Sequence, residues 1–215
     1  MTVSIKKQMV EVSRLMYGKG LVNAFEGNLS VRDGERIYIT PSRICKGFLT
    51  EDMIVVTDME GNTTEGRFKV SSEIKLHLGS YKVRPDVRSV IHTHSPYATA
   101  YALANRPIET RAYPEMITFF EKIPLAPYGT PSTDEVFLKA EEYIKDYDVV
   151  LLANHGIMGV GADPYDAFFK VESAESIAKT LLLAERLGGA KELEPEKLEE
   201  LYKLKGRAGV PFDSR

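Results

Sequence analysis

The run Asp148-Val149-Val150-Leu151-Leu152-Ala153-Asn154 most narrows what this chain of 215 residues can fold into. Five consecutive apolar residues, halted by the turn formers Asn154-His155-Gly156, read as a buried strand; a strand with one wet face would alternate. Such a strand needs other elements layered over it. Ile5, Met9, Val12, Leu15 and Met16 fall at a helical period before Gly18 and Gly20. NLSVR and RIYIT flank Asp33-Gly34 as a hairpin, since glycine tolerates the positive φ of a tight turn. MIVVTD reads as a strand ending at Glu60-Gly61-Asn62. SSEIKLHLGSYKV reads as a helix capped by a hydroxyl, with Glu73 in its first turn. Val87–Thr93 reads as a strand, and Ser95-Pro96 as the N-cap and N1 pair of the helix PYATAYALAN. A further capped helix is expected from about Ser132 to Tyr147, and a long one from Asp163-Pro164 to Leu187.

These elements interleave without strict β-α-β alternation and without a GxGxxG turn, which excludes a dinucleotide fold. The expected fold class is α/β: a layered sandwich with a central mixed, mostly antiparallel β-sheet flanked by helices, forming a single domain over residues 1–215. The charged, Gly/Pro-terminated carboxy-terminal stretch is expected to form a short helix and a loose tail.

Composition removes several function classes. A net charge of −3 provides no basic face to displace counterions from phosphates, so no nucleic-acid partner is expected. No segment approaches the ~20 apolar residues that span a bilayer, and the amino terminus lacks the apolar core of a secretory signal. A cytoplasmic protein with no membrane partner is therefore expected. Cys45 is the only cysteine, so no intrachain disulfide or thiolate cluster can form, and any metal must be held by nitrogen and oxygen.

Two of the four histidines, His92 and His94, flank a single threonine at the end of a strand. Residues two apart on a strand share a face, so both rings can reach one ion, although such a pair taken alone is also an ordinary strand-end feature. His155 lies at a second strand-to-turn junction, where Gly156 leaves room for close approach. Three imidazoles at strand ends match a catalytic zinc site with one position left open, although cobalt, nickel or iron would also suit nitrogen donors. Glu73 is either an acidic residue favoured by the helix dipole or a general acid/base beside the metal. His77 reads as a packed or hydrogen-bonded helix residue rather than a fourth ligand. Ser71 and Ser72, Gly27-Asn28 and Thr40-Pro41-Ser42-Arg43 are each either caps and turns or donors to an anion.

Taken in order, EGNLSVR, ITPSR, SSEIKLH, VIHTHSPYATA and LLANHG resemble the motifs of the class II aldolase/adducin family, from roughly Ile5 to Leu187. The resemblance implies His92, His94 and His155 as ligands of one Zn2+ per subunit, with Glu73 as acid/base and as a further ligand in the resting state. It implies Gly27, Asn28, Ser42, Arg43, Ser71 and Ser72 as phosphate-binding positions and Tyr113 as a proton carrier on the aldehyde side, with Tyr202 a candidate for a tail tyrosine. It also implies a homotetramer with active sites at subunit interfaces. Two departures stand out. Phe25-Glu26 occupies a place where the family commonly has a small or hydroxyl pair, and Arg43 one where glycine is frequent.

The function implied is reversible aldol cleavage of a ketose 1-phosphate, of the L-fuculose 1-phosphate type, to dihydroxyacetone phosphate and a small aldehyde such as lactaldehyde or glycolaldehyde. The alternatives are a sugar-phosphate 4-epimerase, where the family tends to place aspartate instead of Glu73, and a methylthioribulose-phosphate dehydratase or a decarboxylase. A non-enzymatic adducin-like binding domain is the third possibility, set against the complete set of three histidines and Glu73.

Overall fold

In the computed structural model, which describes residues 4–204, the chain begins with α1 (Ile5–Gly18). The Ser4 side chain accepts the amide hydrogen of Lys7 at its start, and Met9, Val12 and Met16 form its buried stripe. β1 (Asn28–Asp33) and β2 (Arg36–Ile39) form the expected hairpin. Two 3-10 turns, Lys46–Phe48 and Glu51–Met53, lead to β3 (Val55–Thr57) and then to β4 (Thr63–Glu65). All three residues of β4 are exposed, so no apolar pattern announces it.

α2 (Ile74–Val83) starts later than expected. Glu73 occupies the N-cap position instead of the first turn, and Ser71 Oγ accepts the Glu73 amide hydrogen at 3.3 Å, closing the turn ahead of the helix. β5 (Ser89–Thr93) follows, then α3 (Pro96–Leu103) with Pro96 in the first turn. Ser95 stands at the N-cap, but its hydroxyl makes no bond. The Glu175 carboxylate accepts the amide hydrogens of Tyr97 at 2.9 Å and Ala98 at 2.7 Å in its place. A carboxylate is the stronger acceptor at the positive end of a helix.

A π-helical turn at Met116–Phe120 and β6 (Leu125–Ala126) precede α4 (Asp134–Asp146), which is capped by Thr133. β7 (Val149–Leu152) returns directly as β8 (Gly156–Gly161), a strand absent from the sequence reading, because GIMGVG has neither alternation nor strong β propensity. Asp163 caps α5 (Pro164–Arg186), and α6 (Pro195–Leu204) packs beside the π-helical turn. The expected loose tail lies outside the described residues. Among the described residues no helix is long and apolar enough to cross a membrane.

The eight strands form one sheet in the order β4-β3-β2-β1-β5-β8-β7-β6, antiparallel except for the β6–β7 pair. The sheet is thus mixed and mostly antiparallel, as expected. α1, α3 and α5 cover one face, against Leu29, Ile91, Val149, Leu151 and Ile157. α2 and α4 cover the other, against Val90, Val150, Leu152 and Met158. The apolar run of β7 therefore splits by its period of two between both cores, each buried Val or Leu contributing roughly 1.5–3 kcal/mol.

Candidate metal centre

The antiparallel pairing of β5 with β8 sets His92 opposite Met158 and Thr93 opposite Ile157. The β7–β8 turn that carries His155 therefore lies beside the end of β5 that carries His92 and His94. The ring centroids are 4.9 Å apart for His92 and His94, 4.6 Å for His92 and His155, and 5.1 Å for His94 and His155. One donor atom from each of the three lies within 4.8 Å of the others. Gly156 permits this packing: a Cβ there would stand 2.5 Å from the Thr93 carbonyl oxygen and 2.8 Å from His94 Cδ2.

Hydrogen bonding and burial prepare the ring nitrogens. His92 Nδ1 donates to the Ile157 carbonyl at 3.0 Å, which leaves the lone pair of a neutral ring on Nε2, and this atom faces His94 Nε2 at 3.0 Å. Burial, then the neighbouring imidazoles, hold the His92 pKa well below the ordinary value. Burial, then His94, pushes His155 down to about 4. His155 Nδ1 is buried without a partner. Converging nitrogen donors with one buried atom left unsatisfied fit a divalent transition metal, to which imidazole is a usual ligand.

Glu73 is 7% exposed, and its two oxygens differ. Oε1 accepts a hydrogen bond from Ser132 Oγ at 3.0 Å, whereas Oε2 is buried with no partner. The carboxylate stands outside the group of mutually close donors formed by the histidines. Ser132 was not legible as a site residue, because it lies 59 positions from Glu73 on the loop before α4. Glu26, noted in the sequence only as a departure, has Oε1 3.6 Å from His94 Nδ1 and accepts from Asn23 at its other oxygen.

The three stretches of anion-binding candidates meet at this end of the sheet. Gly27, at φ 72°, leads into Asn28, which pairs with His92 across β1 and β5. Leu29 N donates to Thr40 Oγ1 at 3.1 Å, and Thr40 N donates back to the Leu29 carbonyl at 3.0 Å. Pro41 bridges to Val70, and Ser42 N donates to the Lys69 carbonyl at 2.9 Å, which sets this loop beside Ser71 and Ser72. Arg43 has φ 57°, in the left-handed region that favours glycine, which accounts physically for the departure noted there. Tyr113 packs against the α1–α3–α5 core and makes no hydrogen bond or ring contact with the histidines or Glu73 among the described residues. Tyr202 is 44% exposed on α6.

Known proteins resemble this chain along most of its length. Residues 7–182 match the family model described as class II aldolase and adducin N-terminal domain. An L-fuculose phosphate aldolase of Methanocaldococcus jannaschii is 40% identical over 179 residues, 83% of this chain and 96% of that protein. A 3-oxo-tetronate 4-phosphate decarboxylase of Haemophilus influenzae is 32% identical, covering 81% of this chain and 85% of the relative. A solved L-fuculose 1-phosphate aldolase superposes with a TM-score of 0.85 at 32% identity, over 94% of this chain and 96% of the other. The chain belongs to the class II aldolase and adducin N-terminal domain family.

Proposed function

We propose that this protein is a metal-dependent aldolase that reversibly cleaves a ketose 1-phosphate, of the L-fuculose 1-phosphate type, to dihydroxyacetone phosphate and a small aldehyde. One observation carries the reading: three imidazoles converge within 4.8 Å, near the helix start that holds a buried carboxylate with one oxygen unpartnered. His92, His94 and His155 would hold the cation, with Glu73 as a further ligand before substrate arrives. Nitrogen donors favour Zn2+ among the divalent metals. The bound cation supplies Lewis acidity at the carbonyl end of the ketose.

The chain's own residues handle the protons. In cleavage, a base takes the proton from the C4 hydroxyl, C4 becomes the aldehyde carbon, and the C3–C4 electron pair passes toward the ketose carbonyl. Glu73 then delivers a proton to C3 through Oε2, and removes it in the condensation direction. Ser132 holds Oε1, which turns the other oxygen toward the reacting carbon. Gly27, Asn28, Ser42, Arg43, Ser71 and Ser72 bind the phosphate, and the Arg43 cation offsets the carboxylate of Glu26. Tyr113 takes the C4 hydroxyl proton from a neighbouring subunit of a homotetramer. This assignment rests on the lack, among the described residues, of a hydrogen bond or ring contact between Tyr113 and the histidines, and on the exposure of Phe25 (75%) and Phe48 (74%), which association would cover.

The test is an assay of dihydroxyacetone phosphate release from L-fuculose 1-phosphate and ribulose 1-phosphate, with zinc content measured in the same samples. Release from either supports the aldolase, and release from no ketose 1-phosphate removes it. The similarity to a named decarboxylase favours one second reading, loss of carbon dioxide from a 3-oxo sugar-acid phosphate. Carbon dioxide evolution from such a substrate, without cleavage of a ketose 1-phosphate, selects it.

A further inference from the structure

Beneath β1 runs a line of four buried polar side chains, of which the proposed chemistry uses only Asn28 directly. His77, on the face of α2 turned to the sheet, is 0% exposed; Ser30 is also 0%, Tyr81 1% and Asn28 6%. His77 Nε2 contacts Asn28 Oδ1, His77 Nδ1 lies 2.6 Å from Ser30 Oγ, and Ser30 Oγ lies 2.7 Å from the Tyr81 hydroxyl.

Chemistry fixes the direction of every bond in this line. An amide oxygen only accepts, so His77 Nε2 carries the hydrogen. Burial pushes the His77 pKa down to about 3, so the ring is neutral and its Nδ1 accepts. Ser30 must therefore donate to Nδ1, and Tyr81 must donate to Ser30. The Asn28 amide thus has its oxygen taken from below, and its NH2 group has no partner among the described residues. Asn28 is flanked in the sheet by the metal candidate His92 on β5 and lies one residue from the Leu29–Thr40 link to the anion-binding loop.

We propose that His77 is a positioning residue: by holding Asn28 Oδ1 it pins the amide so that the NH2 edge donates to an anionic oxygen of the bound sugar phosphate. Without His77 the amide is free to turn its oxygen toward that anion and repel it. This inference rests on the aldolase reading for its substrate, and its test separates the two. With ketose 1-phosphate as substrate, His77→Leu should raise KM about tenfold while kcat stays within about twofold. His77→Gln retains an N–H at the Nε2 position and should recover most of that loss. His77→Leu should add nothing further in the Asn28→Ala background, because the two residues act as one unit. A His77→Leu protein that loses thermal stability but keeps the parent KM would overturn the assignment.

If the leucine variant does not fold, or the parent cleaves no ketose 1-phosphate, nitrogen-15 NMR of the unaltered protein decides the matter. The His77 ring should be the neutral Nε2–H tautomer, and the Asn28 side-chain NH2 resonances should shift on adding inorganic phosphate. An Nδ1–H tautomer, or an Asn28 side chain indifferent to phosphate, sinks the inference. Failure of the parent to act on any ketose 1-phosphate, together with the expected tautomer and shift, would instead fault only the reading of the reaction.

Discussion

The two ends of the β7–β8 hairpin use polar side chains in opposite ways. At the end where β7 begins, charges are matched: Arg84 pairs with Asp86 at 2.7 Å and Asp148 at 2.9 Å, and Lys170 pairs with Asp148 at 2.9 Å and Asp166 at 2.8 Å. At the end where β7 turns into β8, His155 Nδ1 is buried and unpartnered, and so are the nearby Thr93 hydroxyl and Glu73 Oε2. A fold keeps buried polar atoms unsatisfied only where something else compensates, so the incomplete end is where a ligand belongs. A cleft of about 580 Å³ at the other end, lined by Arg84, Lys145, Tyr147 and Asp148, has charges that already neutralise one another.

The contrast can be broken most severely at the histidines. His94→Ala should abolish stoichiometric metal binding and reduce activity to background, read by elemental analysis beside the cleavage assay; full metal content in the variant would refute the centre. Glu73→Gln should lower kcat by about 10²- to 10⁴-fold with the protein still folded and its metal still bound. A change confined to KM would move Glu73 out of proton transfer. Gly156→Ala forces a methyl against Thr93 and His94, and should cost about 1–3 kcal/mol in chemical denaturation and weaken metal affinity with it.

Acid should separate the two ends. His77 titrates at about 6.5 when unfolded and at about 3 when buried, so the unfolded chain takes up a proton that the folded one refuses. Stability contributed by the histidine end therefore falls as pH drops from about 6.5 toward 3. For Asp148, burial raises the pKa, but Lys170 and Arg84 outweigh it and the net shift is downward from 3.8. Its contribution is present above that value and is lost only below it. Denaturation midpoints measured from pH 7 to pH 3 should thus decline before the carboxylates titrate, and His77→Gln should flatten the decline. Asp148→Asn is the mildest change: its side chain is 40% exposed, so loss of the pairs should cost about 1 kcal/mol and leave metal content and KM unaltered.

Much of this contrast was legible before folding was considered. The His-x-His pair and the third histidine at a strand end follow from residue type and periodicity, and β5, β7, α1, α4 and α5 lie close to where their patterns put them. β8 was hidden because glycine replaces the alternation by which strands are recognised. The helix at Ile74 began late because serine hydroxyls serve a turn as readily as a cap. Ser132, Glu175 and the carbonyl of Ile157 were invisible as partners, since each lies tens of residues from the group it serves.

Local rules act over a few residues, so the sequence alone determined most of the helices and the strongly apolar strands, the absence of a thiolate cluster and the candidate donors. Strand order and register act across the whole chain. They alone decided that Asn28 stands beside His92, that His155 closes on the other two rings, and that the carboxylate of Glu73 keeps one oxygen without a partner. Those juxtapositions depend on how two cores pack against the sheet, and no short window of residues encodes that packing.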